Sequence, residues 1–380
     1  MVPFDFELRT RVVFGHRSFT RLGHLAREIN FHRTLLVADR GLVQAGHAAE
    51  ALRLLSDAGI EAVTFHDLAP NPDTRMVEAG CRFAEPLNVD SIVALGGGSA
   101  MNCARAINFV LTNGGSIGDY RGYGKPDTPL LPMIAVPTTA GTGIEALSFT
   151  VIVDAATKSQ TTCGDASASA RIALLDPQLT LTAPRHVAAM AGFDAIAHAV
   201  ETAVTARRTP LSDTFSHRAW RLLNDAFERV LLHPADAEAR AAMQLGAHFA
   251  GIAIEQSMLG AAHACAAPLT SRYNLTHGLA LAILLPHVVR WNASVATDRY
   301  ATLAGSPRRR QRDEDAAETL ATRLEDLASA GGLTTTLSDS GVPEEALPQL
   351  AEAAAQAWTA SFNPRPLDAA GALEIYKAAL

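Results

Sequence analysis

The first half of the chain repeats one unit: a short, unbroken apolar run followed by a segment with helical periodicity. The runs are Thr34-Leu-Leu-Val-Ala38, Ala62–Phe65, Ser91-Ile-Val-Ala-Leu95 and Met133-Ile-Ala-Val136. Continuous rather than alternating apolar character marks strands covered on both faces, and strands joined through helices pair in parallel. The spacing therefore predicts a doubly wound parallel α/β sheet. The β-branched, alternating residues Leu8–Phe14, which end at Gly15, predict an opening strand or hairpin. After Leu174-Leu-Asp-Pro177 the texture changes, and from about Pro184 onward there are only Ala-, Leu-, Glu- and Arg-rich segments of helical period. We expect an α/β domain over 1–180 and an all-α domain over 181–380, which 380 residues with 48% apolar content suffice to build. Within the second, Ser306–Asp315 is charged and broken by Pro307, and reads as a solvated loop before the next helix.

A net charge of −7 and a pI near 6.0 argue against a nucleic-acid or anionic-membrane partner. The cysteines Cys81, Cys103, Cys163 and Cys265 form no CxxC pair, so neither a structural zinc knot nor a disulfide framework is indicated. The N-terminal Met1–Glu7 lacks a basic stretch followed by an apolar run, and no run reaches about 18 uninterrupted apolar residues. These features predict a soluble, cytoplasmic protein.

Two glycine-rich turns follow predicted strands directly. Gly96-Gly-Gly-Ser99 comes after Ser91–Leu95 and before the helical Ala100–Val110; Pro137-Thr-Thr-Ala-Gly-Thr-Gly143 comes after Met133–Val136. Glycines there let backbone N–H groups approach a diphosphate at a helix N-terminus. A tight turn needs glycine too, and the spacing is not GxGxxG. Two such turns at strand carboxyl ends point to one nucleotide crevice. Asp39 ends the run Thr34–Ala38, from which it can bond a ribose 2′-OH or cap a helix; both readings stay open.

In the helical half, Gly192-Phe-Asp-Ala-Ile-Ala-His-Ala-Val-Glu-Thr202 places Asp194 and His198 four residues apart, on one helix face. His263, in Ala261-Ala-His-Ala-Cys265, and His277, in Asn274-Leu-Thr-His-Gly278, offer further imidazoles. One carboxylate and three imidazoles suit Fe(II) or Zn(II). Spacing alone leaves open that each is an ordinary polar helix residue.

With Leu285-Pro-His287 and Phe362-Asn-Pro-Arg-Pro366, these motifs stand in the order and spacing of the iron-containing, group III alcohol dehydrogenases, which the chain resembles over essentially its whole length. The resemblance implies a nucleotide-binding domain, a helical domain and a cleft between them, the architecture shared with dehydroquinate synthase. By resemblance, Asp194, His198, His263 and His277 are the metal ligands. Gly97, Gly98, Ser99, Thr138 and Thr139 would contact the cofactor, together with Asn102 and Thr142 beside them, and Asn71 in Pro70-Asn-Pro72 would line it. Asp39 would favour NAD over NADP. The implied activity is a divalent-metal-dependent, NAD-linked interconversion of a small alcohol with its aldehyde or ketone, in a homodimer or larger homo-oligomer. The metal would bind and polarise the substrate oxygen, and the nicotinamide would exchange the hydride.

Five positions depart from the family pattern: Asn102 stands where Asp is usual, Arg105 where Lys is, Ile144 where Ser is, and Gln160 where Lys often is. Ala267 replaces a second His that passes the alcohol proton outward in several members, so the proton would leave through water, the cofactor ribose hydroxyl or another group. Cys265 reads as a small buried hydrophobe, and His217 and His287 as structural or surface residues. Rival readings are a glycerol dehydrogenase-like or dehydroquinate synthase-like enzyme on a polyol or sugar acid, and a non-catalytic nucleotide-binding relative. A phosphorylated sugar acid needs Lys and Arg to clamp it, which 192–202 and 259–269 do not supply. The complete ligand set argues against the non-catalytic relative.

Overall fold

A computed structural model of the protein describes residues 4–305 and 313–380, the latter with side chains from 316. The chain divides into two units, the first spanning Phe6–Ala183 and the second taking in Pro184–Leu380. In the first, strands β1 (Arg11–Phe14), β2 (Arg33–Ala38), β3 (Glu61–Phe65), β4 (Ser91–Gly96), β5 (Gly122–Tyr123), β6 (Met133–Pro137), β7 (Phe149–Val153), β8 (Gln160–Gly164) and β9 (Ile172–Leu175) are joined largely through helices. These helices are α1 (Leu22–Glu28), α2 (Arg40–Gln44), α3 (His47–Asp57), α4 (Thr74–Ala84) and α5 (Gly98–Asn113).

Each of the four apolar runs is a strand, and six strands form one wholly parallel sheet in the order β1-β9-β6-β4-β2-β3. The unbroken apolar character has the expected cause: β2 from Thr34, β4 and β6 are buried on both faces, while the edge strand β3 is only partly buried. Alternate residues Leu36, Val93, Leu95, Ile134, Val136, Ile172 and Leu174 pack with Leu22, Leu25 and Leu55 in one core. The chain passes from β2 outward to β3, then returns to the other side of β2 for β4 and continues to β6. That reversal is a topological switch point, and it lies between β2 and β4, whose ends are in register at Ala38 and Leu95.

Of the two forms expected for the opening segment, it takes the strand and not the hairpin: β1 lies parallel to β9 at the sheet edge. A second sheet, β5-β8-β7, was not foreseen, because β8 (Gln-Thr-Thr-Cys-Gly) carries hydroxyls and glycine instead of an apolar run. It pairs with β7 antiparallel.

Two of the departures from the family pattern are structural locks in this unit. The Asn102 side-chain oxygen accepts from Thr150 Oγ1 at 2.8 Å and the Val151 N–H at 3.0 Å, tying α5 to β7. Arg105 is buried, 1% exposed, and donates to the carbonyls of Ala168 (2.9 Å), Phe149 (2.5 Å) and Ile144 (3.2 Å). The last of these holds the chain directly after the second glycine-rich turn.

The second unit contains α6 (Arg185–Thr202), α7 (Pro210–Leu232), α8 (Ala237–Ser257), α9 (Ala261–Tyr273), α10 (His277–Leu303), α11 (Asp313–Gly331), α12 (Leu347–Ala355) and α13 (Ala369–Ala378). No strand occurs among its described residues. Helix α6 is buried all round from Gly192 to Thr202, which explains its Ala-rich composition. Helix α10 is long and apolar enough to cross a membrane, yet 61% of its most apolar window is buried inside the protein. The part of the charged stretch up to residue 312 lies outside the described residues.

Arg105→Ala would strand three carbonyl acceptors and leave a cavity, so it is expected to lower the unfolding free energy of the α/β unit by at least about 3 kcal/mol. Urea unfolding followed by circular dichroism tests this; an unchanged midpoint would contradict the clamp.

Candidate functional site

In the α/β unit, the residues expected to meet a nucleotide gather at the carboxyl ends of β2, β3, β4 and β6. Asp39 follows β2, Asn71 lies in the loop after β3 with φ +54°, Gly97–Ser99 follow β4, and Thr138–Thr142 follow β6. Gly96 and Pro137 are paired in register, and the Thr138 N–H donates to the Gly96 carbonyl at 3.1 Å, so the two glycine-rich turns begin side by side. They also pack together: a Cβ on Gly98 would come within 2.5 Å of Thr142 Cγ2, and one on Gly97 within 3.1 Å of Thr139 Oγ1. Glycine at position 98 is thus required by this close approach.

Helix α5 begins at Gly98, and its N-cap Gly97 has no side chain to satisfy the first-turn N–H groups. Those donors are what an anion binds. Asp39 does cap α2, with Oδ1 accepting the Leu42 N–H at 3.0 Å. Its Oδ2 is turned toward Gly96, 3.7 Å from where a Cβ there would sit. Both readings of Asp39 are therefore compatible in one side chain. The Asn102 oxygen is committed to β7, which leaves only its amide N–H groups for a ligand.

In the helical unit, three elements deliver the four candidate ligands. Helix α6 carries Asp194 and His198, α9 carries His263 in its first turn, and His277 is the first residue of α10. The start of α10 reaches α6 because residue 278 is glycine: a Cβ there would stand 2.1 Å from the Met190 carbonyl. Asp194 Oδ1 lies 3.3 Å from His198 Nε2, and 3.7 Å from both His263 Nε2 and His277 Nε2. The ligand atoms of Asp194, His263 and His277 all fall within 4.8 Å of one another. The His198 and His263 rings stack, with centroids 4.7 Å apart.

Among the described residues, Asp194 Oδ1 and His263 Nε2 are buried without a hydrogen-bond partner, and 3.7 Å is too long for one between them. Atoms bound to one ion at about 2.0–2.2 Å lie roughly 3.0–3.6 Å apart, close to the observed separations. A cation is the group that such a set fits, and the N/O donors suit Fe(II) or Zn(II).

The electrostatics agree. Burial would raise the Asp194 carboxyl, but the facing His198, together with His263 and His277, outweighs it and holds the group well below the usual carboxylate range. Burial pushes the His198 imidazole down to about 4, only partly offset by Asp194. Burial would also lower His263, but the Glu201 carboxylate, with Asp194, overrides it and raises that imidazole to about 9.

Glu201 is the site residue that sequence reasoning missed. It follows His198 by three residues and Asp194 by seven, on the same face of α6, and its carboxylate accepts from the His263 Nδ1–H and from the Ala262 N–H at 2.7 Å. Its signal was a second acidic residue at helical spacing from Asp194 in a largely apolar segment. Asn363, in the near-terminal motif, is the other: its Oδ1 accepts the Ala261 N–H at 3.0 Å. Ala267 is half-buried one turn beyond His263, and Cys265 is a buried thiol pushed up by desolvation.

Comparison with known proteins covers both units. Residues 9–177 match the family described as Iron-containing alcohol dehydrogenase, and residues 188–380 match the Fe-containing alcohol dehydrogenase family, C-terminal. The NAD-dependent methanol dehydrogenase of Bacillus methanolicus is 31% identical over 379 residues, covering 99% of this chain and 100% of that one. The 1,3-propanediol dehydrogenase of Citrobacter freundii is 31% identical over 381 residues, covering 99% and 98%. A crystal structure of 1,3-propanediol oxidoreductase superposes with a TM-score of 0.96 at 30% identity, both chains covered in full.

Because His263 is raised to about 9, it is cationic at neutral pH in the metal-free protein, whereas His198, at about 4, is already neutral. A cation must displace that one proton. Zinc uptake at pH 7.5 is expected to release about one proton, with apparent affinity rising about tenfold per pH unit up to about pH 9 and flattening above it. Titration with a pH indicator in weak buffer measures this; no release below pH 8 would contradict it.

Proposed function

The chain belongs to the iron-containing alcohol dehydrogenase family, and from that premise we propose that it interconverts a small uncharged alcohol and its aldehyde or ketone, using NAD. The carrying observation is the convergence of buried Asp194, His198 and His263 with half-buried His277, with an orphaned carboxylate oxygen facing an orphaned imidazole nitrogen. In this reading those four side chains hold one divalent cation. When bound, that cation supplies a Lewis acid for the substrate oxygen. NAD supplies the hydride acceptor.

The protein's own residues do the holding. Asp194 contributes the negative charge, and the rings of His198 and His263 form the buried side of the site, with His277 at its more exposed side. Gly97, Gly98 and Ser99 offer the first-turn N–H groups of α5 to the cofactor's diphosphate, beside Thr138, Thr139 and Thr142. In the same reading Asn71 and the Asn102 amide contribute to the cofactor site. Asp39, with one oxygen spent on its cap, offers the other to a ribose hydroxyl and repels a 2′-phosphate.

The segments carrying the ligands contain no Lys or Arg in 192–202 or 259–269, which supports a neutral substrate over a phosphorylated or carboxylated one. Ala267 has no group to accept a proton, so it would take no part in moving the alcohol proton, which would be left to water, the cofactor ribose hydroxyl or another group. Assembly as a homodimer is part of the same reading, supported by β1, an outer edge strand with Val12 and Phe14 exposed. We place the enzyme in the cytoplasm, consistent with four free cysteines.

Anaerobic loading with Fe(II) or Zn(II), followed by NAD and a panel of simple alcohols and diols, is expected to give reduced nicotinamide. Asp194→Asn should abolish the signal. Failure with every metal would favour a binding-only relative, and activity confined to anionic substrates would overturn the neutral-alcohol reading. Asp39→Ser keeps a capping oxygen while removing the charge, and is expected to raise the NADP-to-NAD ratio of kcat/KM by about tenfold or more. An unchanged ratio would remove Asp39 from cofactor selection.

A further inference from the structure

We propose that Glu201 is a positioning residue for His263: it keeps the Nδ1 proton in place, so that the proton displaced by a cation is the one on Nε2 and the lone pair is freed on the side of Asp194. The proposal rests on the reading that these side chains hold a divalent cation.

Glu201 is 3% exposed, and its two oxygens have separate tasks. Oε1 accepts the Ala262 N–H at 2.7 Å, and Oε2 accepts the His263 Nδ1–H. The first bond exists because of how α9 begins. Its N-cap is Gly260, which has no side chain, so the orphan donors of the first turn are met from distant parts of the chain. Asn363 Oδ1 takes the Ala261 N–H at 3.0 Å, and Glu201 takes the next. A Cβ on Gly260 would fall 2.7 Å from Asn363 Oδ1 and 3.1 Å from Glu201 Oε1, so glycine is what admits both caps.

Asn363 is itself held. It exchanges hydrogen bonds with Asn292, at 2.8 and 3.2 Å, and donates to the Arg365 carbonyl at 2.7 Å. The backbone donor thus pins one carboxylate oxygen and aims the other at Nδ1. A neutral imidazole that donates through Nδ1, the form left once a cation has displaced the second proton, has its lone pair on Nε2, the atom left unpartnered opposite Asp194. Helix α6 then supplies two ligands and the group that orients a third, while the same carboxylate caps the helix bearing it.

Glu201→Gln separates these tasks. Its amide oxygen can still accept the Ala262 N–H, but its NH2 then faces Nδ1 as a donor. The imidazole must accept there and carry its proton on Nε2, toward the cation. Zinc affinity, measured by competition with a chromophoric chelator at pH 7.5, is expected to fall by about 10- to 100-fold. A role limited to capping predicts no change.

Wild type and Asp194→Asn are the controls. If wild type binds one zinc, Asp194→Asn loses it, and Glu201→Gln binds within twofold of wild type, the proposal is overturned while the metal reading stands. If wild type takes up no zinc, both fall. Should Glu201→Gln not fold, long-range 15N NMR of zinc-loaded wild type decides: protonated Nδ1 and metallated Nε2 on His263 support the proposal, and the reverse overturns it.

Discussion

A carboxylate oxygen and an imidazole nitrogen, both buried and both without a partner, face each other 3.7 Å apart in the helical unit. Burying such groups unpaired costs several kcal/mol each, and a fold retains them only when something absent from the bare chain completes them. Much of the local architecture is arranged to bring them together. Helix α6 is buried on every face from Gly192 to Thr202 and mostly apolar there, so its few buried polar side chains are the informative exceptions. Gly278 brings α10 against α6, and Gly260 opens the start of α9 to two side-chain caps. Four histidine and aspartate side chains converge because three helix segments meet at glycine-sized distances.

The α/β unit uses the same device for a different end. Gly97 and Gly98 let the turn after β4 lie against Thr139 and Thr142, so the loops after neighbouring strands form one surface beside the switch point. Residues that depart from the family pattern serve this scaffold. Asn102 uses its amide oxygen as the acceptor that fixes α5 to β7, and Arg105 gathers three carbonyls around the same region. Both side chains are engaged in the scaffold of the α/β unit.

The parallel sheet was legible because its central strands are buried on both faces and therefore read as unbroken apolar runs. The small β5-β8-β7 sheet was not, since polar strands leave no such trace. At the site, Asp194 and His198 stood out by their four-residue spacing, and His263 and His277 through the family's motifs. Glu201 did not, because what it does depends on the first turn of a helix about sixty residues away. The near-terminal Asn363 was noticed as part of a motif without a task; only the contact with Ala261 supplies one. Asp39 shows the opposite limit: sequence offered a cap or a ribose contact as alternatives, whereas the cap takes one carboxylate oxygen and leaves the other available for the contact we propose.

The most direct measurement of the central claim is anomalous diffraction at the metal edge from crystals grown with Fe(II) or Zn(II). The account predicts a single strong peak per chain, about 2.0–2.3 Å from Asp194 Oδ1 and the Nε2 atoms of His198, His263 and His277. No peak among these side chains under metal-replete conditions, or a peak elsewhere with them left unliganded, would contradict it.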